Sequence, residues 1–290
     1  MRTLLRRGSI ASLLIGLVIA VGSNRVPADP TAPLTVTGDV AQAVDPDGPL
    51  RIATFNIHSG KGNDARVDLA RTAETLREVD FAALQEVRGG WRPTDSQAAK
   101  LGALLGLRAV FVAGERRWWH DGFGNGLLSR LPIEAIHRVP LPNTRGKAYR
   151  VATIAEMSHR GTTVRVLAAH IARGADREVQ LRAVCRLFLS LEQPAVLLGD
   201  LNTSADDSEL AALIAHAETT AVVGVGVDAR GAAGSPAATG IDWIIARGPR
   251  CVGRKVVDNG ASDHPAIVAE LELAPPAAHR LARSPLGETP

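Results

Sequence analysis

Three short polar clusters border apolar runs: Leu84-Gln85-Glu86 after Phe81–Ala83, Gly199-Asp200-Leu201-Asn202 after Ala195–Leu198, and Ser262-Asp263-His264 just before Ala266–Ala269. Strand ends open onto loops, so acids and amides placed there can converge at one edge of a sheet. Three carboxylates drawn together repel unless a divalent cation or a shared proton compensates them. A histidine beside one of them supplies a proton acceptor near neutral pH. Oxygen donors with one histidine and no thiolate suit magnesium or manganese rather than zinc. The chemistry indicated is metal-assisted hydrolysis of a phosphate ester.

The elements that must position these clusters are legible in the periodicity. Strands are expected at Arg51–Ile57, Phe81–Gln85, Ala109–Val112, Gly126–Leu128, Ile133–Val139, Arg150–Met157, Thr163–Ala169, Ala195–Leu198, Ile241–Ala246, Lys255–Val257 and Ala266–Glu270. Helices are expected at Asp68–Val79, Ser96–Leu105 and Asp176–Leu191, the last with Leu181, Val184, Phe188 and Leu191 on one stripe. The Gly- and Ala-rich stretch between Val223 and Gly240 reads as a flexible loop. Links between Gly126 and Ala169 are too short for crossover helices, which disfavours a doubly wound parallel sheet. The expected class is α+β, sheets covered by helices.

The chain of 290 residues divides into four stretches. Residues 1–28 carry a basic start (Arg2, Arg6, Arg7) and an apolar run, Ile10–Val21, too short for a full membrane span. They read as a secretory signal, with an uncleaved anchor as the rival, so the expected location is secreted or extracytoplasmic, alternatively membrane-anchored. Residues 29–50 read as a flexible linker, 51–273 as one domain, and 274–290 as a disordered tail. The net charge is +3, from 33 basic and 30 acidic residues. Losing Arg2, Arg6, Arg7 and Arg25 leaves 29 basic against 30 acidic residues, a net of −1, so overall charge does not argue for a nucleic-acid partner. Cys185 and Cys251 fit no metal pattern and read as free cysteines.

In order, Thr54–Gly60, Leu84–Val87, Gly124–Arg130, Ala169–Ile171, Gly199–Asn202, Ile241–Trp243 and Ser262–His264 resemble the endonuclease/exonuclease/phosphatase superfamily, which includes deoxyribonucleases, abasic-site endonucleases, inositol polyphosphate phosphatases and sphingomyelinases. The resemblance implies a four-layer α/β/β/α sandwich of two packed mixed sheets with helices outside. It implies Glu86 as the principal ligand of Mg²⁺ or Mn²⁺, with Asn56 and Asp263 completing the metal site. His264 is implied as general base, oriented by Asp242, while Asp200 either positions or deprotonates the attacking water. The Asn202 amide would hold a phosphoryl oxygen, and His170 would steady phosphate charge or protonate the leaving oxygen. Asn125, Arg150 and His58 are candidate substrate contacts. An Asx turn is the bland alternative for Asp200 and Asn202.

The expected substrate is a phosphate ester, more readily a diester: a phospholipid headgroup, a nucleic acid or a small phosphodiester. Arg116–His120, basic and aromatic, would serve a nucleobase, a headgroup or a membrane surface, or form an ordinary edge strand. A secreted nuclease and a non-catalytic scaffold for phosphorylated ligands are the alternatives. No obligate protein partner is indicated.

Overall fold

The structure is a computed structural model that describes residues 25–41, 44–45, 48–117, 120–145, 148–227, 233–236 and 240–273. Strands β1 (Arg25–Pro27), β2 (Val36–Thr37), β3 (Leu50–Asn56), β4 (Phe81–Arg88), β5 (Arg108–Arg117) and β6 (His120–Ser129) begin one sheet. The next seven form a second: β7 (Ile133–Pro140), β8 (Val151–His159), β9 (Thr162–His170), β10 (Ala195–Asp200), β11 (Thr219–Val227), β12 (Ala233–Pro236) and β13 (Asp242–Arg247). The chain then returns to the first sheet with β14 (Arg250–Val257) and β15 (Ala266–Glu272). The orders are β1-β5-β6-β4-β3-β15-β14, with β2 also on β5, and β12-β11-β13-β10-β9-β8-β7. Among the described residues only β3–β4 and β9–β10 pair in parallel, and each parallel pair is spanned by a helical crossover.

Helices α1 (Leu69–Thr75), α2 (Gln97–Leu105), α3 (Arg177–Ser190) and α4 (Ser208–Ile214) complete the fold. Asp68 caps α1 through the Ala70 and Arg71 amides, and Ser96 caps α2 through Ala99. Three apolar clusters separate four layers. One lies between the sheets, one lies between the first sheet and α1 and α2, and one lies between the second sheet and α3 and α4. This is the four-layer sandwich expected.

Strand alternation decides which residues meet between the sheets. Ile52 of β3, Val166 and Ala168 of β9, Val196 and Leu198 of β10, and Ile244 and Ala246 of β13 fill the inter-sheet core. Continuing each row by twos ends at Asn56, His170, Asp200 and Asp242, all buried. The polar site is therefore the terminal course of the apolar core.

Two expectations change. Within the stretch read as a loop, 223–227 continue β11, antiparallel to β13, and Ala233–Pro236 form β12, while 228–232 and 237–239 lie outside the described residues. Gly224 is packed against Trp243, where a Cβ would lie 2.3 Å from the indole, so this glycine makes room for a side chain rather than for bending. The stretch read as linker includes β2 on β5, and just before it β1 pairs with the same strand. A cut after Ala28 would remove β1 and the Ala28 amide bond to the Gly114 carbonyl. Among the described residues no helix is long and apolar enough to cross a membrane; Ile10–Val21, Trp118, Trp119 and 274–290 lie outside them. Cys185 and Cys251 are free.

Candidate active site

His170, Asp200 and Asp242 stand side by side across β9, β10 and β13, where they are register partners. Gly199 permits this spacing: a Cβ there would sit 2.0 Å from the Ala169 carbonyl oxygen. Asn56 reaches over from the first sheet, donating Nδ2 to Asp200 Oδ2 at 3.0 Å. The loop between β14 and β15 brings His264, whose Nδ1 lies 2.8 Å from Asp242 Oδ2 and whose Nε2 lies 4.0 Å from Asp200 Oδ2. Ser262 holds that loop by donating its hydroxyl to the Asn56 carbonyl at 2.7 Å.

Burial sets the protonation. Burial and the Asp242 charge push Asp200 up to about 7. Burial likewise raises Asp242, against the opposing His264 hydrogen bond. Burial would lower His264, but the Asp242 bond and charge, with Asp200 and Asp263, raise it to about 9. His170 is pushed well below the ordinary range by burial and by the Arg150 charge. Its Nε2 is 3.5 Å from Asp200 Oδ2 and its buried Nδ1 has no hydrogen-bond partner among the described residues, so it is a neutral imidazole that offers hydrogen bonds rather than charge.

Glu86 arrives by a different device. The β4–β6 register shifts between Leu84 and Val87, and Glu86 has φ 58°. Leu84 and Val87 both face the helix-side core, which strict alternation forbids. The bulge absorbs the extra residue and turns the carboxylate aside. Glu86 is half-buried, and its backbone carbonyl accepts from Ser59 Oγ at 3.2 Å. Arg150 feels the charges of Glu86, Glu115 and Asp200. Its guanidinium lies 5.8 Å from the Phe123 ring centre, and its buried Nε is unpartnered. Arg88, absent from the sequence expectations, stacks on the same ring at 5.2 Å.

The remaining candidates divide. Asn125 is buried and donates Nδ2 to the Val151 carbonyl at 2.9 Å, a bond between sheets. His58 Nδ1 is 3.4 Å from Asp263 Oδ1, and its backbone amide donates to Asn56 Oδ1. Asp200 does form the Asx turn, its Oδ1 accepting from the Asn202 amide at 3.0 Å, but its Oδ2 faces Asn56, His170 and His264. The turn and the polar cluster coexist. The Asn202 side chain donates to the Ile171 carbonyl and accepts from Arg173, which the sequence reading did not single out.

A hard divalent cation fits this donor set. Asp200, Asp242 and His264 bring possible ligand atoms within 4.8 Å of one another. That group differs from the Glu86, Asn56 and Asp263 set expected from sequence. Within that trio the His264 Nδ1 is already engaged with Asp242 at 2.8 Å, which leaves its Nε2 and the two aspartates as the open donors. The buried, unpartnered Asp242 Oδ1 and the raised Asp200 mark uncompensated negative charge that a cation would offset.

Residues 53–264 match the Endonuclease/Exonuclease/phosphatase family. Among solved structures, an endonuclease/exonuclease/phosphatase from Beutenbergia cavernae is 27% identical with a TM-score of 0.61, covering 78% of this chain and 72% of that one. Sphingomyelinase C from Streptomyces griseocarneus is 18% identical (TM-score 0.54; 77% and 99% covered). D. rerio TDP2 complexed with single-strand DNA product is also 18% identical (TM-score 0.56; 78% and 100% covered). No match was found among curated proteins.

Proposed function

The chain belongs to the endonuclease/exonuclease/phosphatase family, whose members hydrolyse phosphate esters with divalent metals, and from that premise we propose that it is a phosphodiesterase dependent on Mg²⁺ or Mn²⁺. The observation that carries the reading is the Asp200–His264–Asp242 arrangement, with Glu86 and Asp200 both acting on Arg150 beside it. Glu86, with Asn56 and Asp263, would hold the cation, which would offset negative charge on the phosphate.

In the reaction proposed, a water oxygen bonds to phosphorus as the bond from phosphorus to the leaving oxygen breaks. The water proton passes to the Asp200–His264–Asp242 unit, and the leaving oxygen takes up a proton from solvent water, so that one proton is gained and one given up overall. Asp242 orients the imidazole through Nδ1 and leaves Nε2 turned toward Asp200. Neutral His170 and Arg150 provide donors for phosphoryl oxygens. Two structural neighbours, a sphingomyelinase C and a TDP2 complexed with single-strand DNA product, make lipid and nucleic-acid phosphate esters the first substrates to screen. We further propose export, on the basic start and apolar run of residues 1–28. N-terminal sequencing of protein recovered outside the cytoplasm tests it, and a cytoplasmic location would end that proposal.

The deciding experiment is hydrolysis of bis(4-nitrophenyl) phosphate by the purified full-length chain with Mg²⁺ or Mn²⁺, beside His264→Ala. Metal-dependent turnover that falls by about 10²–10⁴ in the variant is the expected result. Absence of turnover on simple diesters, DNA, RNA and phospholipids alike would remove the enzymatic reading and leave a scaffold.

A further inference from the structure

The motif offers Asn202 to a phosphoryl oxygen, yet in the folded chain its amide is engaged at both ends. Nδ2 donates to the Ile171 carbonyl at 2.8 Å, and Oδ1 accepts from Arg173 Nε at 2.7 Å. Arg173 lies three residues beyond His170 and is exposed. Its terminal nitrogens make no hydrogen bond or ion pair with the described residues. Neighbouring arginines behave otherwise: Arg177 is paired with Asp207, and Arg182 with Glu178 and Glu209.

A guanidinium held at Nε keeps its outer N–H groups in a fixed fork, matched to two oxygens of one phosphate. The anchor is itself fixed. Asn202 donates its backbone amide to Asp200 Oδ1 at 3.0 Å and sits at φ 45°, a conformation asparagine tolerates better than most residues. A rigid relay therefore runs from Asp200 through Asn202 to Arg173, and the Arg173 charge is felt at His170 and Asp242.

We propose that Arg173 is a substrate-binding residue that grips nonbridging phosphate oxygens, and that Asn202 is the residue positioning it. The inference rests on the phosphoesterase reading for its substrate, but phosphate recognition itself is separable from turnover.

The test is a calorimetric titration of full-length protein with inorganic phosphate, with and without Mg²⁺, alongside steady-state kinetics on bis(4-nitrophenyl) phosphate. Arg173→Ala is expected to weaken phosphate binding at least tenfold and to raise KM more than it lowers kcat. Arg173→Lys should recover part of the binding, since it keeps the charge and loses the fork. Asn202→Ala should weaken binding by a smaller factor, and the paired surface control Arg182→Ala should not change it. Thermal melts check that each variant is folded. Phosphate binding in Arg173→Ala equal to wild type, or no phosphate binding by wild type in either condition, overturns the proposal. Binding through Arg173 without hydrolysis of any diester would sink the phosphoesterase reading and leave the anion site standing. Hydrolysis with an unchanged KM in Arg173→Ala would do the reverse.

Discussion

Asp242 belongs to the second sheet and His264 to a loop between two strands of the first, and the 2.8 Å contact between Asp242 Oδ2 and His264 Nδ1 joins them at the polar end of the inter-sheet core. Asp242 begins β13, whereas His264 rides the loop leading into β15. The Asn56–Asp200 bond crosses the same gap. The site is thus assembled by the packing of two sheets. It forms only when the apolar rows behind it have docked, so core stability and site geometry are coupled.

Asp242→Asn keeps the shape and removes the charge that raises His264 from the ordinary imidazole value to about 9. The amide can also present its N–H to Nδ1 and favour the wrong tautomer. A fall in kcat of about 10²–10⁴ is expected. The imidazole pKa, read by NMR titration of the metal-free protein, should fall with it. An unchanged pKa would break the assignment of Asp242 as the orienting acid.

Stability of the metal-free protein is expected to decline from pH 7 to pH 9. His264 has a folded pKa raised to about 9 from 6.5, so its contribution is full below 6.5 and is lost as pH rises through 9. Asp200, raised to about 7, acts in the same direction over the lower part of that window, because the folded state binds the extra proton. Thermal melts in EDTA at pH 7, 8 and 9 measure this. His264→Ala should flatten the slope, and a metal-free slope equal in both proteins would show that other groups dominate.

Asn125 bonds the first sheet to the second through the Val151 carbonyl. Asn125→Leu removes the donor inside a buried contact, and the expected cost is about 1–3 kcal/mol. Denaturant unfolding checks it. A loss of activity far beyond the loss of stability would give Asn125 a substrate role as well.

The row His170, Asp200, Asp242 is legible in sequence because each residue stands at one end of an apolar alternation, the first two closing theirs and Asp242 opening its own, with faces set by period two. Glu86 is legible as an acid at a strand end, but its aim is not, since a one-residue bulge turned it and no residue type announces a bulge. Gly224 misleads: glycine reads as flexibility, and here it seats Trp243. The pairing of β1 and β2 with β5 uses main-chain bonds, which the Pro-, Ala- and Thr-rich composition hides. Arg173 is one arginine among many until its Nε is found on Asn202.

Two donor sets compete for the cation, and one experiment separates them. Glu86 offers a half-buried carboxylate, held at φ 58°, a conformation that costs of order 1–3 kcal/mol in a non-glycine residue. Asp242 offers a carboxylate with one oxygen on His264 and the other unpartnered. Ligation by Asp242 would place a cation against the raised imidazole, so each would weaken the other. Ligation by Glu86 leaves the Asp242–His264 pair intact. Mn²⁺ binding, followed by electron paramagnetic resonance of the free ion, should weaken at least tenfold in Glu86→Gln. It should weaken less in Asp263→Asn, whose side chain is 54% exposed, and least in Asp242→Asn. The reverse order, with Asp242→Asn abolishing Mn²⁺ binding and Glu86→Gln sparing it, would move the cation onto the buried trio. Glu86 would then be left to face Arg150, the cation beside it.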